Sequence, residues 1–303
     1  TQGIKDGLFE KDETNATIIN LENKNLGKKI LLRADGTSVY ITQDIFMAKK
    51  RHDDFNFDEM IYVVGNEQEF HFKVLFEVFK TLKWDFADKC YHFSYGMVEL
   101  PEGKMKSREG TVVDTDDLIE EVFNIAKEEL IKRYPDINLI ELDRRAKIIS
   151  MAAIRFFFLK HDATKNFIFN PKESLSFEGE TGPYIEYTHA RINSIFKKLE
   201  GNICEYIRGA KLELLKEKSE FELTKKLSNF PETIKQSAEY FKPSLIARYL
   251  LDLCQMFNEY YHATQILVEN VELKKSRIYL LYCIKEILKE GLNLLGIEEI
   301  DEM

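Results

Sequence analysis

Hydrophobic periodicity changes character once along this chain, near Asp116, and that change limits the folds open to it. Before it, short β-rich runs alternate with helical stretches, the pattern of an α/β sheet. Beyond it, apolar residues recur at helical spacing. Ile119, Val122, Phe123, Ala126 and Leu130 form one stripe, and Ile246, Tyr249, Leu250, Leu253, Phe257 and Tyr260 another. Leu281, Ile284, Leu288 and Leu292 form a third, and Arg144 to Leu159 is apolar nearly all round, as a buried helix must be. The expected architecture is α/β and then all-α, with domains over residues 1–135 and 136–303. A chain of 303 residues is long enough for two cores.

In the first part, Lys29 to Arg33 and Ser38 to Ile41 read as strands joined by a turn at Ala34-Asp35-Gly36-Thr37, since Asp-Gly between two β-rich runs signals a hairpin. Thr42 suits the cap of a helix carrying Ile45, Phe46, Ala48 and Lys49. Met60 to Val64 is a continuous apolar run ending at Gly65, expected to be a parallel strand buried on both faces. Ligands of such sheets bind beyond the carboxyl ends of strands, which puts Gly65 to His71 where chemistry is expected. In the second part, Pro183 suits the first turn of a helix whose Ile185, Thr188, Ile192, Ile195 and Leu199 share a face.

A net charge of −9 argues against a generally basic nucleic-acid coat, but it is uneven: −7 over residues 1–135 and −2 over 136–303. The second part is the better RNA surface. Cys90, Cys204, Cys254 and Cys283 are scattered without a C-x-x-C pair, so no zinc site or disulfide framework is indicated, and they read as small buried side chains. No apolar run of about 18 residues and no leader pattern appears, so the cytoplasm is the expected location and no membrane the expected partner. The first residue is Thr1, and the chain reads as truncated.

Four clusters carry chemistry. Lys104, Lys106 and Arg108, with Ser107 among them, lie in a loop between Gly103 and Gly110; three cations beside flexible backbone suit a phosphate, although a Lys-rich surface turn has the same composition. Tyr40 at a strand end and Asp44 one helical turn later offer a phenol and a carboxylate, a fit for the planar fork of a guanidinium, although an Asp in a first turn also serves the helix dipole. Gln68 and His71, three apart at a helix start, share a face; a His there is often only structural. Ser176 to Arg191 is a Gly-rich turn feeding a Pro-started helix, with Tyr184, His189 and Arg191 read as exposed.

Lys104-Met105-Lys106-Ser107-Arg108 resembles the KMSKS loop of class I aminoacyl-tRNA synthetases, and the run on to Asp114 resembles the arginyl-tRNA synthetase form, with Lys106 where serine is usual and Ser107 where lysine or threonine is usual. Tyr40-Ile41-Thr42-Gln43-Asp44 matches that family's Y-x-T-x-D stretch, and Val63 to His71 its V-V-x-x-x-Q-x-x-H segment. Ser176 to Arg191 resembles the segment joining its catalytic and anticodon-binding domains. Pro243 to Asn258 is similar to a helix of the DALR-type anticodon-binding bundle.

The resemblance implies the second half of a Rossmann catalytic domain followed by a helical anticodon-binding domain. It implies that Tyr40, Asp44 and Gln68 hold arginine. Gly65, His71, Met105 and the backbone of Met97 and Val98 would meet ATP, with magnesium, while Lys104, Ser107 and Arg108 act on the phosphates. Tyr184, Arg191, Lys197 and Lys198 would face arginine tRNA. No His-x-Gly-His pattern occurs, so the chain is expected to be the C-terminal portion of such an enzyme and inactive alone. One rival is a cysteinyl-tRNA synthetase, whose zinc-binding cysteines this spacing does not supply. The other is a synthetase-derived module that only binds tRNA.

Overall fold

The computed structural model describes residues 2–101, 103–104 and 114–303. They form two compact units, Thr1–Met97 and Val98–Met303. The division expected at 135/136 falls instead in the turn between two helices of the second unit that share one hydrophobic cluster.

The first unit opens with α1 (Gln2–Lys5) and an antiparallel sheet of β1 (Glu10–Lys11), β2 (Thr17–Leu21) and β3 (Gly27–Leu32). Next come α2 (Tyr40–Phe55), β4 (Met60–Gly65), α3 (Glu69–Thr81) and β5 (Cys90–Tyr95). β4 and β5 are parallel, paired from Met60↔Cys90 to Gly65↔Tyr95, with α3 as the crossover. The core is the buried stripe of α3 (Phe72, Val74, Leu75, Val78 and Phe79) packed with Ile41 and Ala48 of α2 and with Ile19, Leu21 and Leu31 of the sheet.

Two expectations fail here. The segment at 38–41 is not a strand: Ser38 makes only an isolated bridge to Leu32, and Tyr40 is the first residue of α2. The turn itself closes, with the Arg33 amide donating to the Thr37 carbonyl and the Thr37 amide to the Asp35 side chain, each at 2.9 Å, but α2 begins at Tyr40 before a second strand can run, and its Thr42 hydroxyl donates to the Leu31 carbonyl. Thr42 therefore lies inside the helix, and Val39 is its cap. Nor is β4 buried on both faces. Met60, Tyr62 and Val64 pack on the core, but Ile61 is 43% and Val63 62% exposed. Parallel strands are ordinarily covered on both sides, and in this chain one side is open.

The second unit contains β6 (Val98–Leu100), β7 (Gly103–Lys104) and β8 (Phe167–Ile168), in the order β7-β6-β8. Its helices are α4 (Thr115–Arg133), α5 (Leu139–Leu159), α6 (Pro171–Ser174), α7 (Gly182–Phe196), α8 (Ile203–Arg208), α9 (Lys218–Ser228), α10 (Phe230–Glu239), α11 (Pro243–Ala263) and α12 (Val271–Leu294). Side-chain caps set several starts: Asp114 accepts from the Asp116 amide, Asn138 from Glu141 and Thr181 from Tyr184. α4 and α5 bury Leu118, Val122, Ala126, Leu142, Ala146 and Ile149 together; α5, α7, α9, α11 and α12 share the larger cluster. α7 meets α5 closely, for a Cβ on Gly182 would lie 2.3 Å from the Ala152 carbonyl oxygen. Inside the bundle, Glu220 is fully buried and accepts from Arg277 Nε at 2.8 Å and from the Tyr260 hydroxyl at 3.1 Å. Among the described residues no helix is long and apolar enough to cross a membrane.

Candidate functional site

In the first unit the sequence around β4 builds a small polar face. Tyr40 starts α2 and Asp44 follows one turn later, so phenol and carboxylate project from the same side; Ile41 and Ala48 anchor the helix to the core. Tyr40 is 83% exposed and takes no part in the core. On the carboxyl side of β4, Asn66–Gln68 make one 3₁₀ turn and Gln68 caps α3, which puts His71 in the helix's first turn. His71 Nε2 lies 2.8 Å from Asp44 Oδ2, joining two residues 27 positions apart. Both are half-buried, and Gln68, three residues before His71, is exposed.

Gly65 ends β4 with φ −56° and ψ 151°, a conformation open to any residue. A Cβ there would meet only Tyr95, at an ordinary 3.8 Å. Neither the backbone nor packing within the protein requires glycine at this position. His92, which sequence reading did not single out, stacks on Phe72 at 4.3 Å and its Nε2 donates to the Val64 carbonyl at 3.0 Å, tying β5 to the end of β4. Met97 is exposed at the close of the first unit, and Val98 opens β6 in the second, paired with Phe167. Lys104 ends β7, with only its backbone described. Met105, Ser107 and Arg108 lie outside the described residues.

In the second unit, the face of α7 forms a cluster with α11. Arg191 donates to Asn258 Oδ1 at 2.9 Å and to the Tyr187 hydroxyl at 3.0 Å, while its guanidinium lies 4.7 Å from the Tyr187 ring centroid and 5.5 Å from that of Tyr261. Asn258 in turn donates to the Tyr184 hydroxyl at 3.0 Å. Burial raises the Tyr184 phenol above its ordinary pKa. A guanidinium within cation–π range of two aromatic rings puts a charge and an aromatic surface side by side. Sequence reading found Tyr184 and Arg191 but missed Tyr187, Asn258 and Tyr261; the i,i+4 spacing with Arg191 signals Tyr187, while Asn258 and Tyr261 come from α11 with no local signal. Lys198 borders a cleft of about 260 Å³ with Tyr261, Gln265 and Leu267. Lys197 is paired with Glu302, which also takes Arg145 at 3.2 Å.

His189 is not exposed as expected. It is fully buried, its Nδ1 donating to the Ile300 carbonyl at 3.1 Å, and burial lowers its pKa, keeping the ring neutral. Glu186, one turn earlier, is also fully buried; burial first and Glu298 second push its carboxyl well above the usual range. Cys204 is exposed rather than buried, and all four cysteines are free. Among the described residues no group of three His, Cys, Asp or Glu side chains is arranged to hold a metal ion.

Comparison with known proteins gives the chain's relatives. The family profile for the class I (R) tRNA synthetase catalytic domain matches residues 2–171, and that for the DALR anticodon binding domain matches residues 185–303. An arginine–tRNA ligase of Bacteroides thetaiotaomicron is 46% identical over 302 residues, covering 98% of this chain and 50% of the relative. One of Treponema denticola is 45% identical over 306 residues, covering 100% of this chain and 52% of the relative. The solved Thermus thermophilus arginyl-tRNA synthetase superposes with a TM-score of 0.84 at 26% identity, over 98% of this chain and 56% of that one. The chain spans about half the length of the curated relatives it matches.

Proposed function

The chain belongs to the arginyl-tRNA synthetase family, and from that premise we propose that the full-length gene product joins arginine to its cognate tRNA using ATP. The arginine carboxylate attacks the α-phosphorus of ATP, giving arginyl-adenylate and pyrophosphate. A hydroxyl of the tRNA's terminal adenosine then takes the arginyl group and AMP leaves. Neither step needs a covalent bond to the protein, so its side chains bind, orient and stabilise charge.

In this reading Asp44 neutralises the guanidinium, and Tyr40 and Gln68 orient it. Gly65 and the backbone of Met97 and Val98 border the nucleotide, and a glycine that the fold itself does not require supports close approach of a ligand there. Lys104, Ser107 and Arg108, with Met105 between them, meet the phosphates and their magnesium. Tyr184, Arg191, Lys197 and Lys198 face arginine tRNA, in the cytoplasm. A role confined to tRNA binding is the weaker reading, because the catalytic-domain profile covers more than half of the chain.

The observation that carries the reading is the carboxylate of Asp44 held beside an exposed Tyr40 on one helix face, next to the turn that closes β4. Asp44→Asn in the full-length gene product tests it. Truncating one member of a charge pair costs about 2–5 kcal/mol; with the Asp44 side chain 44% exposed, the low end applies, about 2 kcal/mol or roughly 30-fold. The arginine KM in pyrophosphate exchange should rise by that factor while the tRNA KM stays within twofold. An unchanged arginine KM, or equal damage to both constants, rejects the assignment.

A further inference from the structure

We propose that His71 is a positioning residue for arginine, acting through Asp44, and not part of the nucleotide site that its place in the sequence suggests. The inference rests on the arginine-binding role of Asp44 given above. The geometry behind it lies wholly in the first unit. His71 Nε2 and Asp44 Oδ2 are 2.8 Å apart, within the range of a strong N–H to carboxylate hydrogen bond. The two side chains come from different helices, so the bond fixes α3 against α2 at the point where a ligand would dock.

The ring is itself held. His71 stands edge-on to Phe72, with centroids 5.5 Å apart and planes at 89°. Phe72 is buried and packs on Tyr62 and His92. A buried aromatic wall therefore supports the imidazole, and the imidazole supports the carboxylate. Asp44 alone, in the second turn of a partly exposed helix, would choose among rotamers; fixing it beforehand removes that cost from arginine binding.

The choice of donor matters. An ionised carboxylate offers about four lone-pair sites. One N–H on Oδ2 leaves enough for a guanidinium to bind both oxygens. A lysine or arginine in its place would set a permanent positive charge beside Asp44, against the attraction for a cationic substrate. The neighbouring cation on α2, Arg51, has its guanidinium over the Tyr62 ring at 5.9 Å. Lys29, on β3, lies over the Phe70 ring at 4.5 Å.

Three substitutions separate this role from its rivals. Glutamine at 71 extends an N–H to about the reach of Nε2, asparagine holds one nearer the backbone, and leucine has none. In the full-length gene product, pyrophosphate exchange should give an arginine KM about tenfold higher for His71→Leu and His71→Asn, and within threefold of the parent for His71→Gln. The ATP KM should stay within twofold throughout. An ATP KM that rises as much as the arginine KM would assign His71 to the nucleotide and overturn the proposal. Equal KM values for glutamine and leucine would reduce His71 to packing, which also overturns it. If His71→Leu fails to fold, the contrast between glutamine and asparagine decides alone. Asp44→Asn serves as the reference. Should it leave the arginine KM unchanged, the underlying reading falls; should it raise KM while the His71 series does not, only this inference falls. Adding His71→Leu to Asp44→Asn should cause no further rise in KM, since two residues acting through one contact are not additive.

Discussion

Neutralising Glu186 should stabilise the helical bundle. Its side chain is 0% exposed, and neither carboxylate oxygen has a hydrogen-bond partner among the described residues. Burial, with Glu298 adding to it, raises its pKa well above the ordinary 4.5. The sign follows from linkage. A carboxyl whose folded pKa is raised contributes fully below pH 4.5, and that contribution is lost as pH climbs towards the folded value. Keeping such a group protonated at pH 7 costs up to about 3.4 kcal/mol, from 1.36 kcal/mol per pH unit above the ordinary value. Glu186→Gln has nearly the same shape and needs no proton. Its extra N–H donors also lack partners, which returns about 1 kcal/mol. A net gain of about 2 kcal/mol at pH 7 corresponds to a melting temperature about 4–8 °C higher for a unit of this size. Near pH 4.5 the gain should vanish. Far-UV circular dichroism is the suitable probe, because the long helices concentrate in the second unit while the single tryptophan, Trp84, lies in the first. Parallel pH profiles for parent and variant, or a variant less stable at pH 7, would refute the reasoning.

Gly182→Ala should destabilise the second unit by about 2–3 kcal/mol, since the new Cβ would lie 2.3 Å from the Ala152 carbonyl oxygen and force α7 away from α5; a melting temperature at or above the parent's would show that the contact relaxes freely. The 303-residue chain should bind arginine tRNA in a filter assay, with affinity falling by about 0.7–0.9 log units per neutralised phosphate for each log unit of salt. Arg191→Leu should weaken that binding about tenfold, as loss of one cation–π or phosphate contact would, and undiminished binding would remove the α7 face from the interface.

The helical bundle was legible because its signal is local. Ile246, Leu250, Leu253, Phe257, Leu281, Ile284, Leu288 and Leu292 are all buried, as a helix repeat alone predicts. Periodicity did not show which residues a distant segment would cover. His189 was read as exposed on a Pro-started helix, yet the stretch after α12 buries Ile297 and Ile300 and places a carbonyl on the imidazole from 111 positions away. The error at 38–41 has a different origin. Asp-Gly does mark a turn there, and the Arg33 amide donates to the Thr37 carbonyl across it, but α2 begins at Tyr40 and leaves too few residues for a second strand. The apolar run of β4 was read correctly as a parallel strand but not as one with an open face. Such a run states what a strand can bury, not what this chain supplies to cover it.

The site divides along the same line. Tyr40 and Asp44 were legible as a pair because both lie on one element, and moving Tyr40 from a strand end into α2 brings the two closer to a shared face, one turn apart. His71 and Gln68 were legible for the same reason, as neighbours at the start of α3. What no local pattern carries is the bond between the two pairs. That bond depends on how α2 and α3 pack over Ile41, Ala48, Phe72 and Leu75, so no reading of the residues one stretch at a time pairs the His71 Nε2 with the Asp44 carboxylate. Residues placed by motif thus keep their positions, but their partners are set by the core beneath them. A change in that core, such as Phe72→Leu beneath the imidazole, therefore acts on Asp44 without touching it, through the wall that holds the His71 ring.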